Sequence, residues 1–459
     1  MTEGGGIGGE TSATWPRPVF AATAIGISAG FLLCGYECLR STSNTLFTNA
    51  YGAANLPVIM ALTPLALIAA LYGYGRLLSR LGPRSTLLVT TLASGGGIVV
   101  CYAAIVAGNK PATGVLYLLR EVYIVLLIEQ YWSFLNSTLG TAAAKKLNGP
   151  ICGVASLGAV LGGYLLGILS KPLGTETMLL FAATLCLPAA VASEVAYRRC
   201  GEPKQGETTD EHRWTQMEPA KGERLSSASS SGADRTGHLG LGLFRTHRML
   251  VFLLLAVVAT QVIAAVVDLE FQTKLQQSIP EKDARNAWSG NFYAALSGAA
   301  AFSQFLLAPL LLRVLPLSAL HIVLPLLNIG ACTWLLGAPS LTSAAGAYML
   351  FKTVDYSLFR AGKEILYIPF SFDVRYRAKE VIDVFGYRFG KGGASLVITL
   401  LQRAEVVFTT ASYAWTAIAA AAVWLAMIVP AIRAYDRVQL TTPPPPPRAG
   451  PPTVSYRGS

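Results

Sequence analysis

Five ionisable side chains near the C-terminal end of the chain lie inside, or at the edges of, otherwise apolar segments. They are Lys363, Glu364, Asp383, Arg388 and Lys391. An ionised group inside a bilayer costs roughly 2.5–3.5 kcal/mol on insertion scales, so it persists where it has a use. One interpretation is that these residues line a solute pathway. The other is that they are cytoplasmic loop charges at helix ends, reaching into water.

Two of these residues, Arg388 and Lys391, are three positions apart and on a helix would present two cations to one place. Arg suits bidentate contact with phosphate, and Lys supplies a compact point charge. The stretch from Gly386 to Gly392 superficially resembles a phosphate-binding loop. It is one residue short of that motif and lacks the hydroxyl that holds Mg²⁺. No strand precedes it and no nucleophile is paired with a base, so we expect no enzyme activity.

A second polar pattern lies near the N-terminus. Glu37, Arg40, Ser41, Asn44 and Thr48 recur at steps of three and four residues, so they share one helix face. In an apolar segment such a face belongs against the bundle interior or a water-filled cavity. The alternative is that Glu37 and Arg40 satisfy each other and hold helices together.

The composition identifies the class of protein. Hydrophobic residues make up 53% of the chain and charged residues 13%, with a mean hydropathy of +0.48, whereas soluble domains carry about 25% charged residues. Apolar runs of about 20 residues recur along the whole chain. Cys34 and Cys38 have no nearby His, so we interpret them as core residues and predict neither metal nor cofactor. We predict an all-α polytopic membrane protein.

The pattern predicts 12 transmembrane helices in two six-helix halves. The N-terminal half covers residues 19–197 and the C-terminal half residues 249–433. Residues 1–18, the linker 198–248 and the Pro-rich tail 434–459 are predicted to be disordered. The predicted spans are Val19–Thr42, Asn55–Gly75, Thr86–Ala107, Thr113–Leu139, Pro150–Ser170, Thr177–Tyr197, Met249–Phe271, Trp288–Leu312, Leu317–Gly337, Leu341–Phe359, Val384–Leu401 and Ser412–Ile432.

The net charge of +11 comes from short loops between spans. Because positive loop residues stay on the cytoplasmic side, this distribution describes topology and not nucleic-acid binding. It predicts that both termini and the linker are cytoplasmic.

Five glycines leave one face of the fifth predicted span without bulky side chains. They are Gly153, Gly158, Gly162, Gly163 and Gly167. Small residues allow helices in a membrane to approach closely, so we expect tight packing on this side.

Six spans, a long cytoplasmic loop and six more spans form the layout of the major facilitator superfamily. The stretch from Gly75 to Leu88 resembles its cytoplasmic signature of Gly and basic residues, with Ser79 where the superfamily usually has Asp. This resemblance implies a major-facilitator-like fold.

A longer resemblance covers the membrane region. It is to the ATP/ADP translocase family, the nucleotide exchangers of plastids and intracellular bacteria. The matching stretches are Asp355–Arg360, Lys363–Pro369, Ala378–Lys379, Val381–Gly393, Leu39–Asn44, Arg120–Glu121, Tyr131–Asn136 and Asp268–Leu275.

Four charged residues of that family are tied to transport. The resemblance places its fourth-span acid on Glu121, its seventh-span acid on Asp268 and its eleventh-span Lys on Lys391. The first-span Lys is missing, because Ser43 stands there and Asn44 replaces the adjoining Asp. The cavity therefore lacks one cation of the family, which predicts a solute less charged than ATP.

The resemblance implies a secondary transporter in a bacterial-type inner (plasma) membrane that exchanges nucleotides by alternating access. We expect a monomer and no role for nucleic acid. Lys391, Arg388 and Arg40 are expected to attract phosphates. Glu121 and Asp268 would pair with these cations in the empty state or couple a proton. The predicted substrate-binding residues are Arg40, Asn44, Glu121, Asp268, Arg388 and Lys391. The alternatives are a carrier of the same fold for another anionic metabolite and a non-transporting membrane interaction subunit.

Overall fold

The computed structural model describes residues 17–139, 141–200, 242–368, 370, 378–379 and 381–441. Within these ranges the chain is helical apart from short turns and contains no strand, which confirms the all-α prediction. Most of the three regions predicted to be disordered lies outside the described residues. The described edges of these regions are mainly helical, because one helix begins at Arg17, another ends at Cys200, Gly242–Thr246 forms a short helix and the final helix continues to Thr441.

The N-terminal half contains five helices and one 3₁₀ turn, Ala53–Asn55. Pro57 and Pro111 lie in the first turns of the second and third helices, where a missing N–H removes no helical hydrogen bond. The helices are α1 (Arg17–Tyr51), α2 (Leu56–Val106), α3 (Pro111–Thr138), α4 (Thr141–Leu173) and α5 (Thr177–Cys200).

The C-terminal half is more broken, because three π-helical segments interrupt its helices: Ser303–Leu307, Asp355–Phe359 and Ile382–Phe389. Such segments occur frequently at functional sites. The α-helices are α6 (Gly242–Thr246), α7 (Arg248–Ser278), α8 (Lys282–Phe302), α9 (Ala308–Val314), α10 (Leu317–Gly337), α11 (Leu341–Val354), α12 (Arg360–Leu366), α13 (Gly390–Arg403) and α14 (Thr410–Thr441).

Nine helices among the described residues are long and apolar enough to cross a membrane, which makes this an integral multi-pass protein. Helix α2 unites the second and third predicted spans and bends at Gly82, whose φ of 74° favours glycine. The tenth and eleventh predicted spans are not among the nine. Both are interrupted by π-helical segments. The count of twelve therefore stays a prediction.

Two buried cores correspond to the two predicted halves. One contains only residues between Ala21 and Tyr197. The other is built mainly from α7 to α14, with Phe47 and Tyr117 among the few members from the N-terminal half. The halves meet where α4 packs against α8 and where α13 packs against α2.

The glycines of α4 allow close packing in two directions. A Cβ at Gly158 would overlap the backbone of Gly30 on α1, so these positions hold the N-terminal half together. A Cβ at Gly163 would lie 2.6 Å from the backbone nitrogen of Ala294 on α8, in the other half. Gly153 has no atom within 4 Å of such a Cβ. The predicted close approach is confirmed at four of the five positions, and it serves two partner helices instead of one.

Candidate functional site

A cavity of about 530 Å³ lies between the two halves, and we call it the central cavity. Polar and charged side chains from both halves line it. Its basic residues are Arg40, Arg120, Lys352, Arg360, Lys363, Lys379, Arg388 and Lys391, and its acidic residues are Glu121, Glu129, Asp268, Asp355, Glu364 and Asp383. All six predicted substrate-binding residues border this cavity, as do all five of the ionisable residues from Lys363 to Lys391 that the sequence singles out.

Helix α1 presents Tyr36, Arg40 and Asn44 to the cavity at four-residue steps, as expected for one helix face. The Arg40 Nη2 atom lies 2.6 Å from Glu37 Oε2, and its guanidinium lies 3.8 Å from the ring centroid of Tyr293. Arg40 therefore agrees with both interpretations of this face, because it pairs with Glu37 and also borders the cavity.

Arg120 contacts Ser43 and Asn44, the two positions of α1 where the resemblance leads us to expect a Lys and an Asp. Its Nη1 atom donates to Asn44 Oδ1 at 2.7 Å and to Ser43 Oγ at 3.1 Å. Its Nη2 atom donates to Glu121 Oε1 at 2.6 Å, and the guanidinium lies 3.9 Å from the ring centroid of Tyr117. Helix α3, the fourth predicted span, thus supplies a positive charge beside Ser43 and Asn44, which stand where the resemblance leads us to expect Lys and Asp. The Asn44 side-chain oxygen accepts a hydrogen bond from the Arg120 guanidinium.

Lys391 and Asp268 bring α13 and α7 together. The Lys391 Nζ atom donates to Asp268 Oδ2 at 2.9 Å, and both residues line the cavity. Close packing of α13 brings Lys391 to this place, since a Cβ at Gly390 would meet Gln261 of α7 and one at Gly392 would overlap Pro64 of α2. A pair of this kind holds a cation ready for an anion that competes with the carboxylate.

Two further charged pairs among the cavity-lining residues connect α12 with Lys379 and with the π-helical segment Ile382–Phe389. Lys363 donates to Asp383, and the Lys379 Nζ atom donates to Glu364 Oε2 at 2.8 Å. We call these four residues the mouth. Both pairs form within the C-terminal half.

At the opposite end of the bundle, the two halves are joined directly. Lys282 Nζ lies 2.6 Å from Glu176 Oε1, and the Thr175 hydroxyl donates to Asp283 Oδ1 at 2.6 Å. Gln276 receives a 2.7 Å hydrogen bond from the Ala53 backbone nitrogen. We call this set the closed end. None of these contacts lies in the cavity lining, whereas all four residues of the mouth do.

The sequence interpretation missed part of the lining. Lys352, Asp355 and Arg360 border the cavity beside the tyrosines of the same region. Lys352 and Asp355 are ionisable residues inside a predicted span, so the rule that identified Lys391 could have found them. The bordering tyrosines carry no comparable signal, because an aromatic residue in a membrane helix is most often part of the packing. They are Tyr36, Tyr117, Tyr293, Tyr348, Tyr356 and Tyr387.

Comparison with solved structures shows that this chain shares its fold with several membrane transporters. The nucleoside transporter NupG superposes with a TM-score of 0.61 at 11% identity, covering 92% of this chain and 98% of that one. A D-xylose–proton symporter gives a TM-score of 0.62 at 14% identity, covering 88% and 96%. At these identities the likeness concerns the fold alone.

The sequence comparisons identify a narrower similarity. Residues 331–435 match the family described as TLC ATP/ADP transporter. ADP,ATP carrier protein 3 of Rickettsia felis is 33% identical over 113 residues, which cover 24% of this chain and 21% of the relative. ADP,ATP carrier protein 1 of Chlamydia trachomatis is 24% identical over 314 residues, covering 62% and 57%. The resemblance to ATP/ADP translocases is confirmed, although the chain spans about a fifth of the first curated relatives it matches.

Proposed function

We propose that this chain is a secondary transporter that exchanges nucleotides by alternating access. The observation that carries the proposal is the position of Lys391. The residue that matches the eleventh-span Lys of the nucleotide exchangers lies between the two halves, paired with Asp268, which matches their seventh-span acid. Substrate sites of such carriers lie near the middle of the membrane, at the interface between repeats.

The charges of the cavity support an anionic substrate. Its lining contains eight basic and six acidic side chains, and a surplus of cations in a low-dielectric cleft attracts anions. Within the described part of the chain, Arg388 and Arg360 line the cavity with no carboxylate within 4 Å. Arg388 is therefore ready to bind a phosphate, while Lys391 must first release Asp268.

The acidic residues have a role in the empty state. Asp268 neutralises Lys391, and Glu121 neutralises Arg120, until a phosphate group competes for the cations. The released carboxylate then either stays ionised near the bound anion or takes up a proton. The second route would couple transport to a proton gradient.

The position of the mouth also supports one orientation of the protein in the membrane. The mouth includes Lys379, which follows Arg375 and Arg377 in the sequence, and loops rich in positive residues stay in the cytoplasm. The cavity would then face the cytoplasm, with both termini on that side of an inner membrane. Reporters fused after Arg198 and after Arg437 should both report a cytoplasmic position, and a periplasmic signal from either would contradict this topology.

Nucleotides less charged than ATP remain the proposed preference. Arg120 restores a positive charge near Ser43, but four of its contacts already go to protein acceptors: Arg40 O, Ser43, Asn44 and Glu121. Both Nη atoms of the guanidinium are thus engaged, and the Nε atom is buried without a partner among the described residues, so Arg120 attracts a phosphate mainly through space.

Exchange in liposomes tests the function. Vesicles preloaded with ADP should take up labelled ADP, and unloaded vesicles should take up far less. Arg388→Gln should weaken uptake by about 10- to 100-fold, the loss expected for a charge-assisted hydrogen bond. Lys110→Gln is the matched control, because Lys110 is exposed and lies outside the cavity.

The alternatives give different results in the same assay. Exchange of inorganic phosphate or a carboxylate, without exchange of any nucleotide, would identify a carrier of another anionic metabolite. The absence of exchange for every anion, with the protein folded in the vesicles, would favour a membrane interaction subunit.

A further inference from the structure

Lys352 is a cation that neither the sequence interpretation nor the proposed substrate contacts include. It lies on α11, is 9% exposed and borders the central cavity. Within the described part of the chain, no carboxylate lies within 4 Å of its ammonium group and it makes no hydrogen bond. The side chain is buried, while its Nζ atom is not among the fully buried unpartnered atoms, so the ammonium is accessible from the cavity and has no protein partner to neutralise it. Arg40, Arg120, Lys363 and Lys391 each have a carboxylate partner.

Aromatic rings hold Lys352 in place. Its Nζ atom lies 5.1 Å from the ring centroid of Tyr356 and 5.9 Å from that of Tyr348, each four residues away on the same face. The Tyr348 ring stacks on Phe271 with centroids 5.2 Å apart and 6° between the planes. Ring faces attract a cation weakly and leave its hydrogen-bond donors free. The ammonium is therefore positioned without being neutralised.

The same aromatic cluster also supports Arg40. Tyr293, whose ring lies under Arg40, contacts Phe271 with centroids 6.4 Å apart. One cation from the N-terminal half and one from the C-terminal half thus rest on rings that share Phe271. A ligand anion between Arg40 and Lys352 would contact both halves.

The backbone next to Lys352 is irregular. The π-helical segment Asp355–Phe359 begins three residues later, and Asp355 is 4% exposed with its Oδ1 atom lacking a partner in the described residues. A carboxylate this close in sequence could have neutralised Lys352, and it does not approach within 4 Å. The local structure keeps the two charges apart, which preserves a free cation at the cavity wall.

We propose that Lys352 and Arg40 form a second phosphate subsite, separate from the one at Arg388 and Lys391. This inference rests on the proposed nucleotide exchange and narrows it to nucleoside diphosphates, whose two phosphates occupy the two subsites. A monophosphate fills one subsite only and leaves the Lys352 ammonium uncompensated.

Thermal unfolding of the detergent-solubilised full-length protein tests the subsite. The variants are Lys352→Met, which removes the charge at similar volume, Lys352→Arg, which keeps it, and Lys110→Met as an exposed control. The probes are ADP, AMP and inorganic pyrophosphate. ADP and pyrophosphate should raise the melting temperature of the wild type more than AMP does. Lys352→Met should weaken ADP binding by about 10- to 100-fold, and AMP binding should change much less.

The ligand-free variant gives an independent readout. Because Lys352 carries an uncompensated charge, Lys352→Met should melt at the same temperature as the wild type or higher. A structural role would lower that temperature, and a Met variant that does not fold would likewise assign Lys352 to stability and overturn the proposal. Lys352→Arg should retain most of the stabilisation by ADP and pyrophosphate.

The probes separate this proposal from the proposed function. If pyrophosphate stabilises the wild type but not Lys352→Met, and no nucleotide stabilises either, the result would support the Lys352 subsite and contradict nucleotide exchange. Equal ADP affinity in Lys352→Met and the wild type would overturn the subsite and leave nucleotide exchange intact. A wild type that neither ADP nor pyrophosphate stabilises would overturn the subsite, and liposome exchange would then decide the function.

Discussion

The closed end and the mouth hold their charged residues in different ways. At the closed end Lys282 of the C-terminal half pairs with Glu176 of the N-terminal half. At the mouth Lys363 pairs with Asp383, and both belong to the C-terminal half. The pairs inside the cavity follow the same rule as the mouth, since each described pair there joins residues of one half.

Pairs within one half and contacts between the halves have different mechanical consequences. A pair within one half moves with that half, so it holds a cation in place and does not resist the separation of the halves. A contact between halves must break when that end opens. The described ion pair that joins the halves is partly exposed, with side chains 27% and 28% exposed, and exposed pairs are weak. Beside this pair, buried Asn286 of α8 accepts from Ser41 at 2.9 Å and donates to Ser170 at 3.1 Å, so the halves are held here by one weak ion pair, by buried hydrogen bonds and by close glycine packing.

The largest expected effect comes from breaking a pair within one half. Lys391→Gln removes the cation from Asp268 and from the substrate, so uptake of nucleotides into liposomes should fall by about 10- to 100-fold. The Asp268 carboxylate, only 12% exposed, is then left without its partner, which also lowers stability. Lys391→Gln combined with Asp268→Asn should recover stability in detergent and leave uptake low.

The comparison of the two ends also predicts which property Lys391→Gln should leave unchanged. Lys391 and Asp268 lie in the same half, so neither variant should alter the distance between the halves at the closed end. Normal uptake by Lys391→Gln would make Lys391 a helix anchor instead of a substrate ligand.

The next effect concerns the glycine contact between halves. In Gly163→Leu the new side chain meets the backbone of Ala294 and Gly290 on α8. Overpacking of this kind costs about 1–3 kcal/mol, which corresponds to a shift of roughly 5- to 100-fold between the closed and open arrangements. Exchange should fall while the protein remains folded, as measured by uptake and by size-exclusion chromatography.

Gly153→Leu is the matched control, because a Cβ there has no neighbour within 4 Å. Gly158→Leu gives the other comparison. Its Cβ would overlap Gly30 within the N-terminal half, so it should lower the amount of folded protein. Equal behaviour of the Gly158 and Gly163 variants would contradict the assignment of the two contacts to different tasks.

The sequence predicts much of this arrangement and misses specific parts of it. Isolated charges in apolar segments predict cavity residues well, because a membrane makes a buried charge costly. Of the five periodic polar residues on α1, only Arg40 and Asn44 border the cavity. The pairing of Arg120 with Asn44 across two helices follows from tertiary packing and has no local signal. The π-helical segments at Asp355–Phe359 and Ile382–Phe389 likewise depend on neighbouring helices. The count of twelve spans stays a prediction for the same reason, since the π-helical segments leave α11 and α13 with 14 residues each.

A smaller effect is expected at the position of the missing cation. Ser43→Lys places an ammonium beside the Arg120 guanidinium, whose Nη1 atom lies 3.1 Å from Ser43 Oγ. Like charges repel at this distance, so the single variant should be less stable and gain little. Adding Asn44→Asp supplies a carboxylate for Arg120, and the double variant should shift selectivity from ADP towards ATP by up to about tenfold. Competition of mono-, di- and triphosphates against labelled ADP measures the shift, and an unchanged ranking would contradict the charge-count argument.

The smallest effect tests the weak pair that joins the halves. Lys282→Glu places like charges at the closed end, facing Glu176 and next to Asp283, which lies 3.9 Å from the Lys282 ammonium. Because exposed pairs contribute about 0.2–1 kcal/mol, the open fraction at this end should rise by up to roughly fivefold. Distances between spin labels at exposed positions 109 and 338, in a cysteine-free background, report the opening.

Reversing both charges distinguishes a specific pair from a general charge effect. In Glu176→Lys combined with Lys282→Glu, the attraction between the halves returns, so the label distances should move back towards those of the parent protein. The recovery should be incomplete, because Asp283 stays beside the new carboxylate while its Oδ1 atom still accepts from Thr175. The same reversal of Lys363 and Asp383 at the mouth serves as the control, since that pair lies within one half and its reversal should leave the closed-end distances unchanged. If Lys282→Glu also leaves them unchanged, the glycine packing of α4 against α8 holds this end closed without help from the ion pair.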